Sequence, residues 1–197
     1  MSVFARLMAA LALAVLAPLL ALLALLVVAV DGHPVLYRGV RLGRGRRPFT
    51  MYKFRTMADG AENRIGGRLM RGEDGVVTPL GRILRYLKFD ELPQLWNVVR
   101  GDMGFVGPRP VRPAMADDYS AHVPGYDARF AVRPGLTGLA QIRGGYYCPP
   151  ARKTRYDCFY IARRGISMDV WLLYRTATYM AASVLRLKIR KVPEPRG

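Results

Sequence analysis

Apolar residues fill the first thirty positions almost without a break, and the pattern then changes to short alternating segments. From Leu7 to Val30 there are 24 residues with no charged side chain. At about 1.5 Å per helical residue this run covers roughly 36 Å, against a bilayer core of about 30 Å. It predicts a membrane-embedded helix over residues 1–30. A secretory signal fits less well, because the run is too long for an h-region and no clear cleavage box precedes Asp31. Pro18, preceded by Ala17, sits near the middle and should bend the helix there. A bent helix can re-enter on the face it came from, yet proline is also tolerated in helices that cross. The residues alone leave both open, and in either case the basic remainder, 31–197, belongs on the cytoplasmic face.

Beyond Asp31 the elements are short. Val35–Val40 and Phe49–Phe54 read as strands around the turn Gly43-Arg44-Gly45. Residues 59–76 are polar and glycine-rich, which predicts a loop. Thr78-Pro79 opens a helix, with Thr78 as N-cap and Ile83, Leu84 and Leu87 on its apolar face, ending near Phe89. A second helix is expected from Asp90 to Gly101, with Pro93 acceptable only in its first turn. A further helix is predicted over about 113–121, irregular chain over 143–151, and a last helix over about 167–190. That last helix mixes aromatic residues and bases with apolar positions, as an interfacial helix or an ordinary packed helix would.

Charge sharpens this picture. The chain has 197 residues, 31 Lys+Arg against 14 Asp+Glu, and a formal charge of +17. Its partners should be anionic: nucleic acid, lipid headgroups or phosphorylated substrates. Seven bases and no acid lie between Asp31 and Asp59, a basic hairpin beside the apolar helix. Cys148 and Cys158 make neither a disulfide framework nor a zinc site. His33 and His122 are isolated in sequence and read as loop or core residues. There is no P-loop, dinucleotide fingerprint, nucleophile elbow or HExxH motif.

One acidic pair stands out in this basic chain: Asp90-Glu91, shortly after Arg85 and Lys88. A helix N-terminus favours carboxylates and phosphates, so an Asp there should stay ionised and able to act as a nucleophile. Neighbouring helical residues point about 100° apart. The two carboxylates therefore cannot share one proton, but one could attack phosphorus while the other holds a divalent metal. From the pattern alone, a plain capping arrangement with Asp90 as N-cap and Glu91 in the first turn explains the same two residues better.

The stretches YKFRTM (52–57), TPLGRILRYLKFDELPQLWNVVRGDMGFVGPRP (78–110), RPGLTGLAQIRG (133–144) and YDCFYIARRGISMD (156–169) resemble, in order, the bacterial sugar transferase family, the monotopic phosphoglycosyl transferases. The likeness covers about residues 33–176, and the length matches the small members. It implies an α+β, mostly helical protein: a re-entrant membrane helix broken at Ala17-Pro18, a small basic hairpin and a cytoplasmic helical catalytic domain with interfacial helices. Members carry a Ser-Pro at the helix break, where this chain has Ala17-Pro18. The implied reaction moves a sugar 1-phosphate from a UDP-sugar to a polyprenyl phosphate, undecaprenyl phosphate in bacteria, in the inner membrane. Asp90 would form a phosphosugar ester and Glu91 would bind Mg²⁺. Lys53, Arg55, Arg85, Arg109 and Arg133 would line the anionic pocket, with Asp157 a further member. Anionic phospholipid is an expected neighbour and nucleic acid is not; a homodimer is left open. The reading from another class is a non-catalytic, membrane-tethered basic module for acidic lipid or nucleic acid, which requires neither Asp90-Glu91 nor the proline-arginine turns.

Overall fold

The computed structural model describes residues 3–58, 60–61, 75–145 and 148–184. They form two compact units, residues 1–41 with 50–101, and residues 42–49 with 102–197. Both are mainly helical with small sheets, as the sequence predicts. Most of the expected 59–76 loop, and the expected last helix beyond 184, lie outside the described residues.

The first unit begins with helix α1 (Val3–Asp31), which contains Pro18. It is long and apolar enough to cross a membrane, with a mean hydropathy of 3.0. One face stays bare: Leu7, Leu11, Val15, Leu22 and Leu25 are exposed. The opposite face packs on the unit. Leu23 and Val27 are buried against Phe54 and Leu84, with Leu36, Leu80, Phe89 and Leu92 around them. Both ends of α1 are tied to the same unit. Near the start, Arg6 Nη2 donates to the Arg100 carbonyl at 2.7 Å. At the end, Arg55 donates to the carbonyls of Asp31, Gly32 (2.6 Å) and His33 (2.8 Å). Thr78 Oγ1 also donates to Asp31 Oδ2 at 2.8 Å.

Strands β1 (Leu36–Leu42) and β2 (Pro48–Phe54) pair with each other. Helix α2 (Pro79–Leu87) starts as its sequence predicts, with Thr78 Oγ1 accepting from Gly81 N at 2.9 Å. Its apolar stripe differs from expectation. Leu80 and Leu84, one turn apart, face the core, while Ile83 points outward and is 57% exposed. The helix expected from Asp90 to Gly101 is instead a 3₁₀ segment, Phe89–Gln94, followed by α3, Leu95–Arg100. Two residues explain the change. Lys88 adopts the left-handed conformation (φ 62°) and ends α2. Pro93 has no N–H to give the Phe89 carbonyl, so the tighter turn replaces an α-helical first turn. Asp90 is therefore not an N-cap.

The second unit holds a parallel pair, β3 (Gly104–Val106) and β4 (Gly135–Thr137), in register Gly104↔Gly135 and Val106↔Thr137. A parallel pair requires a crossover, and α4 (Pro113–His122) with a 3₁₀ turn, Tyr126–Ala131, supplies it. The two proline-arginine turns meet here. A Cβ on Gly107 would lie 2.5 Å from the Arg133 carbonyl, and one on Gly135 would collide with Gly107 N. Only glycine allows that backbone approach. Helices α5 (Leu139–Gly144), α6 (Pro150–Arg163) and α7 (Ile166–Val184) complete the unit. The expected irregular stretch 143–151 is thus partly helical, its ends belonging to α5 and α6. Leu139, Ala140, Tyr156, Tyr160 and Leu172 form one core; Leu42, Ala116, Tyr126 and Phe130 form another. On α7, Ile166, Val170, Tyr174 and Tyr179 are exposed.

Candidate active site

In the first unit the 3₁₀ segment presents Asp90 and Glu91 in quite different settings. Asp90 is buried, at 6% exposure, and its Oδ1 has no hydrogen-bond partner in the protein. Burial raises its carboxyl above the ordinary carboxylate range. Glu91 pushes the same way, while Lys53, Lys88 and Arg85 oppose. The sequence predicts that a helix N-terminus keeps Asp90 charged; in the structure three cations oppose its protonation. Glu91 Oε1 accepts from Lys53 Nζ at 2.6 Å, with both side chains largely shielded.

Each cation is placed by a different element. Lys53 projects from β2, between Tyr52 and Phe54, whose side chains leave the strand on the other face. Arg85 lies in the last turn of α2, its Nε bonded to Thr56 Oγ1 at 2.8 Å. Lys88 occupies the left-handed joint between α2 and the 3₁₀ segment. Arg55 goes elsewhere than expected: its guanidinium is committed to the carbonyls at the end of α1.

Arg109, Arg133 and Asp157 belong to the second unit. Arg109 is exposed and Arg133 half-buried. Asp157, on α6, is 2% exposed and lies 3.1 Å from Arg129 Nη2. That contact is an ion pair without hydrogen-bond alignment, since Asp157 Oδ2 has no hydrogen-bond partner. Burial accordingly pushes Asp157 up to about 6, with Arg129 and Lys153 pulling the other way. Arg129 also donates to Tyr126 Oη at 2.5 Å and to the Arg109 carbonyl at 2.9 Å. It thereby links α6, the 3₁₀ turn and the arginine turn.

Sequence reasoning missed Arg129 and Asn97. Asn97 is fully buried on α3 and bonds the backbone of β2. The available signal for Asn97 was a polar residue inside the apolar run Leu95–Val99; Arg129 gave none.

Among the described residues no cluster of three His, Cys, Asp or Glu could hold a metal alone. Mg²⁺ does not need one, because it is commonly held by one or two carboxylates together with substrate phosphates. Glu91 fits that donor set as its one carboxylate, and the unpartnered Asp90 Oδ1 beside it is left outside the set.

Three relatives show what this chain is similar to. A UDP-glucose:undecaprenyl-phosphate glucose-1-phosphate transferase of Caulobacter vibrioides is 53% identical over 56% of this chain and 41% of its own length. A UDP-N-acetylgalactosamine-undecaprenyl-phosphate N-acetylgalactosaminephosphotransferase of Aeromonas hydrophila is 38% identical over 73% of this chain and 34% of its own. An uncharacterized sugar transferase of Bacillus subtilis is 36% identical over 84% of this chain and 73% of its own. The chain thus spans under half the length of the first two. The family model for bacterial sugar transferases matches residues 1–183. This chain belongs to the bacterial sugar transferase family.

Proposed function

We propose that this protein transfers a sugar 1-phosphate from a UDP-sugar to undecaprenyl phosphate and releases UMP, a membrane step in bacterial glycoconjugate synthesis. The observation that carries this reading is Asp90: a buried carboxylate with one free oxygen, faced by Lys53, Lys88 and Arg85, in a chain of this family.

Asp90 attacks the β-phosphorus of the UDP-sugar. An Oδ–P bond forms, the bond to the α-phosphate oxygen breaks, and UMP leaves. An oxygen of the polyprenyl phosphate then attacks the same phosphorus, the aspartyl ester breaks, and Asp90 returns as a carboxylate. Glu91 would hold Mg²⁺, which when bound would supply charge neutralisation. Lys53 orients Glu91 and, with Arg85 and Lys88, lowers the cost of an anion approaching an anion. The covalent step lets two bulky substrates react in turn, so ping-pong kinetics are expected.

Work at a lipid acceptor requires a seat at the inner membrane surface. In this reading α1 re-enters rather than crosses and the body faces the cytoplasm. What supports it is that Arg6 and Asp31, on either side of Pro18, are both bonded to the first unit.

The test is UMP release from UDP-sugars in the presence of undecaprenyl phosphate and Mg²⁺, with trapping of labelled sugar phosphate on the protein when acceptor is omitted. Asp90→Asn should fold, release no UMP and trap no label. Undiminished release by that variant would refute the nucleophile. For topology, Ser2→Cys should react only with cytoplasmic reagents; periplasmic labelling would mean a crossing helix.

A further inference from the structure

An apolar cavity of about 590 Å³ lies within the first unit. It is open to one side and lined by Leu20, Ala21 and Ala24 of α1, by Tyr52 and Phe54 of β2, and by Pro93 of the 3₁₀ segment with Trp96 of α3. Two relationships tie it to the site. Strand β2 separates the two spaces, because Tyr52 and Phe54 leave it on the opposite face from Lys53, which holds Glu91. The 3₁₀ segment joins them, carrying Asp90 and Glu91 at its start and the cavity-lining Pro93 three residues on. The 3₁₀ segment is thus a path with the cations of the site at its start and the apolar cavity at its end.

We infer that this cavity holds the first isoprene units of the lipid acceptor, with its phosphate directed toward Asp90. This rests on the proposed transfer reaction. The occupant follows from the chemistry of the path. It must be a single-chain amphiphile whose anionic head meets Lys53, Arg85 and Lys88 and whose tail is hydrocarbon from its first carbon atoms. A two-chain phospholipid has a polar glycerol and two ester groups at that point, which the apolar walls would leave without hydrogen bonds. Room for only a few isoprene units leaves the rest of the chain beside the bare face of α1.

The experiment uses the full chain in vesicles of phosphatidylethanolamine and phosphatidylglycerol. A polyprenyl phosphate carrying a photoreactive group in its second isoprene unit is irradiated, and the modified residues are mapped. Labelling within 13–24, 52–54 or 93–96, competed by undecaprenyl phosphate and not by added phosphatidylglycerol, is expected. Labelling elsewhere, or equal competition by phosphatidylglycerol, would overturn the inference. UMP release is measured on the same protein. Release with labelling elsewhere sinks the cavity alone, whereas no release sinks the transfer reaction and the cavity with it. In a second arm, Ala21→Phe and Ala24→Phe narrow the cavity. Their KM for undecaprenyl phosphate should rise about tenfold or more, while KM for an acceptor of one isoprene unit changes little. An equal rise for both acceptors, or none for either, would count against it.

Discussion

The carboxamide of Asn97 grips the backbone around Tyr52 from both sides: its Oδ1 accepts from Tyr52 N at 3.1 Å and its Nδ2 donates to the Thr50 carbonyl at 2.6 Å. Asn97 is fully buried, so neither bond can be replaced by water. The clamp fixes β2 along α3, and with it Lys53, the next residue in the strand.

Asn97→Ala should destabilise the first unit by about 2 kcal/mol, because a buried donor and a buried acceptor lose their partners together. Thermal unfolding in detergent checks this. Asn97→Asp removes only the donor and turns an acceptor into a charge, so it should be no milder. A shift in melting temperature within error for either variant would remove the clamp from the account.

Arg55 invites a sharper distinction. Its guanidinium serves the carbonyls that end α1, where helices have unpaired acceptors. Arg55→Ala should therefore lower stability by about 2 kcal/mol and leave KM for the UDP-sugar nearly unchanged. A raised KM with unaltered stability would return Arg55 to the anionic pocket that the sequence suggests.

How far the sequence was legible follows local physics. Thr78-Pro79 carries its own cap, and that helix start is where it was expected. The apolar run of α1 needs no partner to be recognised. What failed depended on distant contacts or on single backbone angles. The joint at Lys88 turns on one positive φ at a residue that gives no warning of it. Strands β3 and β4 are three residues each and exist through one another. Arg129 and Asp157 lie 28 positions apart, and nothing in either neighbourhood announces the other.

That pair gives a prediction on pH. Asp157 in the folded protein titrates near 6, against 3.8 when unfolded. Between those values the folded state holds a proton that the unfolded chain has released, so this group makes stability fall as pH rises through the window. The two-unit difference corresponds to about 3 kcal/mol at most. Asp157→Asn should remove this contribution. Unfolding curves from pH 4 to 7 should be flatter for the variant than for the unchanged protein. Parallel curves would show that Asp157 is ionised throughout.

The cations around Asp90 should be visible in kinetics. If the carboxylate attacks phosphorus, activity is lost as pH falls through its pKa. Burial raises that pKa, and Lys53 is the foremost group opposing the rise. Lys53→Met should move the acid limb of kcat/KM for UMP release to higher pH, and it also frees Glu91 from its 2.6 Å partner. Lys88→Gly should shift the limb in the same direction by less, since Lys88 ranks below Lys53 among the opposing charges. The two variants part on stability. Glycine accepts a φ of 62° without strain, so Lys88→Gly should stabilise the fold by about 1 kcal/mol, whereas Lys53→Met strands a shielded carboxylate and should destabilise it. Unmoved acid limbs in both variants would mean that the group titrating in catalysis is not Asp90.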